Sequence, residues 1–108
     1  MQYFPFSMPL VYKYKDIDDN IIKYIGIVCS KNKTRCLEDR LREHRNKEWW
    51  AHGNYSVSYF FVKSRTDAEA FESHLIALHK TYKYFNKAKN NWGLSEYRPT
   101  NIKWLHYT

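Results

Sequence analysis

The chain has 108 residues and a mass of 13.2 kDa, the size of one domain. A 44% hydrophobic share with only three Gly and three Pro excludes a disordered or low-complexity chain. Eighteen Lys and Arg against eleven Asp and Glu leave +7, which points to a polyanionic partner, nucleic acid first, or to a charge that only keeps a small protein soluble.

No apolar run approaches the roughly 20 residues that cross a bilayer, so no membrane segment is expected. Residues 1–10 lack the cationic start and long apolar stretch of a secretory signal. Cys29 and Cys36 are too few for a disulfide framework and form no C-x-x-C pair, which suits a reducing cytoplasm. The five histidines show no zinc spacing.

In chain order, Leu10–Tyr14 and Ile21–Val28 are β-branched and aromatic runs separated by the turn-rich segment Asp16–Asn20, a hairpin pattern. From Lys31 to Trp49 the period becomes helical: Leu37 and Leu41 share a face, Thr34 is placed to cap, and Glu38 and Asp39 lie in the first turn. Gly53 and Asn54 break the chain before a third strand, Tyr55–Lys63, whose alternation sets Tyr55, Val57, Tyr59 and Phe61 on one face. Thr66-Asp67-Ala68-Glu69 reads as a capping box opening a second helix, with Phe71, Leu75, Leu78 and Tyr82 as its buried stripe. The tail from Asn90, with Trp92, Pro99 and Trp104, is either a short helix or a strand covering an edge. The expected class is α+β: a small three-stranded antiparallel sheet flanked by helices, in β-β-α-β-α order. Residues 1–108 form a single domain, with its core motifs at about 10–90 and a C-terminal extension at 91–108.

Several residues on this frame carry chemistry. An odd-length loop gives Tyr12 and Tyr24 one face and sets them opposite each other, with Gly26 leaving a bare patch beside the hydroxyls; the alternative is simple cross-strand packing. Arg40 and His44, four apart on a helix, project together a fork suited to phosphate and a group that moves protons near neutral pH. Glu72 has Ala68, Glu69, Leu75 and Ile76 as helical neighbours and no cation among them. Its partner is therefore either an arginine from the other helix or a bound divalent cation, Mg²⁺ by preference for hard oxygen. Between Glu72 and Glu96 no acid occurs, and Lys80, Lys83, Lys87 and Lys89 interleave with Tyr82, Tyr84, Phe85 and Trp92. That stretch is either a backbone-tracking surface or a solvated basic helix end.

Together these motifs resemble the GIY-YIG nuclease family. Leu10-Val11-Tyr12 stands where GIY is expected, Tyr24-Ile25-Gly26 is an intact YIG, and Arg40-x-x-x-His44 matches the family's helix motif. Glu72, in AEAFESHLI, matches the metal-binding glutamate, and Asn86, in YFNKAKN, the closing asparagine. Leu10 departs from the family's glycine, and the stretch from Gly26 to Arg40 is a few residues longer than the family spacing.

The resemblance implies a DNA endonuclease using one divalent ion, Mg²⁺ or Mn²⁺, held by Glu72. In it Tyr12 activates water, with Lys23 or the metal supplying the field. Tyr24 orients water or phosphate, Arg40 binds phosphate oxygens, His44 relays a proton, and Gly26 and Asn86 support the site. The substrate is duplex or branched DNA, contacted by Lys23 and by Lys80, Lys83, Lys87 and Lys89 or by residues 30–33 with Arg42 and Arg45. Specificity comes from the loop before Arg35, the tail, a homodimer or a larger assembly. The rival readings are a DNA- or RNA-binding module that keeps the fold without cleavage, and a structure-specific nuclease subunit of an assembly.

Overall fold

The structure is a computed structural model that describes residues 9–28, 37–46, 53–86 and 102–107. Strands β1 (Leu10–Asp16) and β2 (Ile21–Val28) form the hairpin, helix α1 spans Leu37–Arg45, and β3 spans Tyr55–Phe61. Helix α2 (Arg65–His79) runs into a 3₁₀ turn at Thr81–Lys83, and the tail returns as β4 (Leu105–Tyr107). The sheet is antiparallel throughout, in the order β2-β1-β3-β4. The α+β class holds, with four strands where three were expected. The fourth is the tail, which takes the strand alternative and lies along β3.

The hairpin turn is built from acidic side chains. Asn20 takes a left-handed conformation, φ 63°. The Asp16 carboxylate accepts from the Asp18 amide at 2.9 Å, and that of Asp19 accepts from the Ile21 amide at 3.0 Å. Beyond the turn the pairing jumps from Lys15↔Ile22 to Tyr14↔Tyr24, so Lys23 is the extra residue of a β-bulge. The bulge turns its ammonium onto Asp16 and Asp19, each at 2.8 Å.

Alternation along β1 divides the core in two. Leu10, Tyr12 and Tyr14 face α1 and pack with Val28, Leu37, Leu41, Val57 and Tyr59. Val11 faces the other way and packs with Ile25, Val62 and the α2 residues Ala68, Phe71, Leu75 and Ile76. Each large apolar side chain so buried contributes about 1.5–3 kcal/mol relative to exposure. The face expected for Tyr55, Val57, Tyr59 and Phe61 is the one observed, all four belonging to the α1 side.

Two details of α2 differ from expectation. Its N-cap is Ser64, whose hydroxyl accepts from the Asp67 amide at 3.1 Å, and Glu69 instead pairs with Arg65 at 2.8 Å. Leu78 is 60% exposed: the buried side is Ala68, Phe71, Glu72, Leu75 and Ile76, and the helix stops at His79 before the expected stripe reaches Tyr82. Thr34, Cys29, Cys36 and the loop before Arg35 lie outside the described residues. Among the described residues, no helix is long and apolar enough to cross a membrane.

Candidate active site

Tyr12 occupies the middle of β1 and is 0% exposed. Across the hairpin it faces Gly26, and Tyr24 faces Tyr14. The two tyrosines of the motif therefore share a face but are diagonal neighbours, with ring centroids 6.1 Å apart, and not directly opposed. The bulge at Lys23 sets this pairing. Four residues lie between Asp16 and Ile21, an even loop that would put Tyr24 opposite Lys13 and on the other face, and the extra residue brings it opposite Tyr14 instead. Nor is Gly26 a bare patch. A Cβ there would overlap the Cζ and hydroxyl of Tyr12, so the missing side chain is the space into which the phenol lies.

Helix α1 brings His44 over this surface. Tyr12 Oη and His44 Nε2 are 2.7 Å apart and buried. The imidazole is ringed by tyrosines, with centroids 4.8 Å from Tyr24, 5.5 Å from Tyr14 and 5.9 Å from Tyr12. Arg40, one turn earlier, is near enough to the Tyr12 phenol to bear on its charge. It pairs with Glu43 at 3.3 Å, and its side chain keeps 26% exposure. Its Nε is buried without a hydrogen-bond partner among the described residues.

The electrostatics set the protonation of the phenol. Burial pushes the Tyr12 pKa well above the usual phenol value, and Tyr24 adds to the rise, while Arg40 opposes it. The phenol therefore holds its proton, and its 2.7 Å hydrogen bond with His44 Nε2 runs in the direction that the imidazole tautomer sets. Tyr14 is raised in the same way, first by burial and then by Tyr24, against Arg45 and Arg40. Burial, the largest influence on Arg40, lowers its pKa, but Tyr12, Tyr24 and Glu43 together outweigh it, so the guanidinium stays charged.

Four of the five expected catalytic residues, Tyr12, Tyr24, Arg40 and His44, are thus assembled on one face. Glu72 belongs to the other layer. It is 5% exposed on the buried side of α2, which packs on the opposite face only over β2 and part of β1, chiefly along β2, the strand carrying Tyr24 and Gly26. Among the described residues no three His, Cys, Asp or Glu side chains gather as a metal site. One buried carboxylate has the chemistry of a hard-cation ligand, and Mg²⁺ commonly takes one or two carboxylates with water and substrate phosphate completing its shell. In that sense Glu72 fits a single Mg²⁺ or Mn²⁺.

Asn86 acts on the backbone. Its Oδ1 accepts from the Ile25 amide and its Nδ2 donates to the Ile25 carbonyl, both at 2.8 Å, which pins the centre of the Tyr24-Ile25-Gly26 motif. The cations expected to meet nucleic acid have varied surroundings. Lys23 is held by Asp16 and Asp19 and lies 5.4 Å from the Tyr84 ring, and Arg42 bonds to Asp39 at 3.2 Å. Arg45, Lys80 and Lys83 are exposed, and Lys87 and Lys89 lie outside the described residues. Sequence reasoning passed over Tyr14, although its parity with Tyr12 placed it on the same face. It also missed the Asp16–Lys23–Asp19 latch, whose only signal was a lysine shortly after three closely spaced aspartates.

Compared with protein-family models, curated proteins and solved structures, the chain gives no significant match.

Proposed function

We propose that the chain is a metal-assisted DNA endonuclease of the GIY-YIG type. The observation that carries this reading is the Tyr12–His44 contact of 2.7 Å, with Arg40 near the same phenol and Gly26 beneath it. A proton donor, a proton acceptor and a phosphate-binding cation meet there, from β1 and α1, at the positions of the sequence motifs.

A phosphate is a stronger acceptor than a neutral phenol. It draws the Arg40 guanidinium towards itself, Nε included, and uncovers the Tyr12 hydroxyl. Water then passes a proton to the Tyr12 oxygen as the phenol's own proton moves to His44 Nε2, so the phenol need never ionise fully. Tyr24, half-exposed and packed on His44, orients the phosphate or the water. Glu72 would hold the divalent ion, which would supply Lewis-acid stabilisation of charge on the phosphate and the leaving oxygen.

The complete burial of Tyr12 favours the second reading, a DNA- or RNA-binding module that keeps the fold without cleavage. Incubation with plasmid, linear and branched DNA, in Mg²⁺ or EDTA, separates the two. The nuclease reading expects Mg²⁺-dependent strand breaks that Glu72→Gln abolishes while the protein still binds DNA and stays folded. Binding without breaks on any substrate rejects it. A large fall in melting temperature with cleavage retained in Glu72→Gln makes Glu72 a structural residue instead.

A further inference from the structure

Lys13 and Lys15 alternate with Tyr12, Tyr14 and Asp16 along β1, so they stand on the face of the sheet away from the tyrosines. The register sets Lys13 beside Ser58 of β3, with His106 of β4 beyond it, and Lys15 beside Ser56. Residues two apart on a strand are about 6.8 Å apart, a spacing comparable to that of successive phosphates in an extended nucleic-acid strand. Lys13 is fixed in place, its Nζ 4.0 Å from the centroid of the Trp104 ring, which itself stacks on Phe71 at 5.8 Å.

His79, at the C-terminal end of α2, feels the Lys13 charge. Its pKa is lowered first by burial, then by Lys13 and His74, and that of Lys13 first by burial, then by Lys15. No carboxylate acts on either group. Among the described residues, no Asp or Glu forms an ion pair with Lys13, Lys15 or His79. Like charges on one strand face, partly desolvated and without a counter-charge, disfavour the protein alone and favour a bound anion.

We propose that Lys13, Lys15, Ser56 and Ser58 form a second phosphate-contact surface, which binds the backbone of a nucleic-acid strand on the face of the sheet away from Tyr12. A polyanion suits the row because its cations repeat along a strand and its neighbours are hydroxyls. The net charge of +7 favours the same partner. The proposal rests on the nuclease reading only in naming nucleic acid as that polyanion.

The test is fluorescence anisotropy with a labelled DNA duplex and one of its single strands, in EDTA, across a salt series. Each phosphate contact contributes roughly −0.9 to the log–log salt slope on a duplex. The double variant Lys13→Gln/Lys15→Gln should flatten the slope by up to about two units, and Lys13→Arg should retain it. A double variant that melts like wild type but keeps the full affinity and slope overturns the proposal, as does a wild-type protein that binds neither DNA. If the double variant does not fold, Lys15→Gln alone should flatten the slope by about one unit, and an unchanged slope there is equally decisive. Cleavage is scored separately. A wild type that binds with the steep slope but never cuts rejects the nuclease and leaves this surface standing, whereas one that cuts while the variants bind unchanged rejects only the surface.

Discussion

The phenol of Tyr12 lies fully inside the protein yet bonds to His44, with the Arg40 charge nearby, in a ring of aromatic side chains. Tyr12→Phe keeps the packing and removes the hydroxyl through which the proton chain passes. On the proposed mechanism it should cut on the order of a hundredfold more slowly or worse, while binding DNA normally in EDTA. Single-turnover kinetics beside a binding isotherm check this, and a wild-type rate removes Tyr12 from the chemistry. Gly26→Ala probes the same contact from below. The added methyl meets a phenol that is buried and tethered, so the ring cannot simply swing aside. Overpacking of this kind costs about 1–3 kcal/mol. Thermal melting should fall accordingly, and an unchanged melting temperature shows that the pocket yields. The shared face of Tyr12 and Tyr24 was expected from an odd-length loop, but four residues lie between the paired Asp16 and Ile21. The face is restored by the bulge at Lys23, which no pattern in the sequence announces, and the diagonal offset follows from the same extra residue.

At the scale of elements, the segment after α2 is fastened to β2. The Phe85 amide donates to the Lys23 carbonyl at 3.3 Å, and the Asn86 side chain bonds to both polar groups of the Ile25 backbone. Asn86→Ala leaves those groups without that partner, and a buried group left unpaired costs about 1–3 kcal/mol. Chemical denaturation should register this loss, with faster amide exchange at Ile25. Asn86→Asp, which keeps the acceptor for the amide but sets a buried carboxylate oxygen against the Ile25 carbonyl, should destabilise at least as much at neutral pH. Equal stability of all three proteins means that water replaces the clamp. The strands and helices themselves were legible because each is amphipathic with its own period. The cap of α2 was misread because Ser64 and Thr66 both precede acidic residues at capping distance, and only the geometry distinguishes them. The tail strand carried too few residues, Leu105–Tyr107, for its pattern to stand out.

For the molecule as a whole, pH acts through the hairpin latch. The Lys23 hydrogen bond, the largest influence, holds the Asp16 carboxyl below its usual range, with the Asp18 and Asp19 amides assisting and burial opposing. A folded-state pKa below the unfolded value of about 3.9 means that stability is fully present above that pH and is lost as pH falls through the folded value. Melting temperature should therefore decline on acidification below about pH 4. Asp16→Asn should start lower at neutral pH and lose less over the same range. Parallel acid limbs in the two proteins assign the acid sensitivity to other carboxylates.

The clamp on β2 has a consequence for how copies of the chain can meet. A strand from a second molecule, approaching β2 from outside, finds the Ile25 amide and carbonyl already engaged by Asn86 and the Lys23 carbonyl by Phe85. At the far side of the sheet β4 offers only three residues, Leu105–Tyr107. Neither margin gives a long template for strand addition, the route by which many sheet proteins polymerise or exchange segments. Any pairing of two copies is thereby steered towards helices and sheet faces, and away from a continuous sheet running from one molecule into the next.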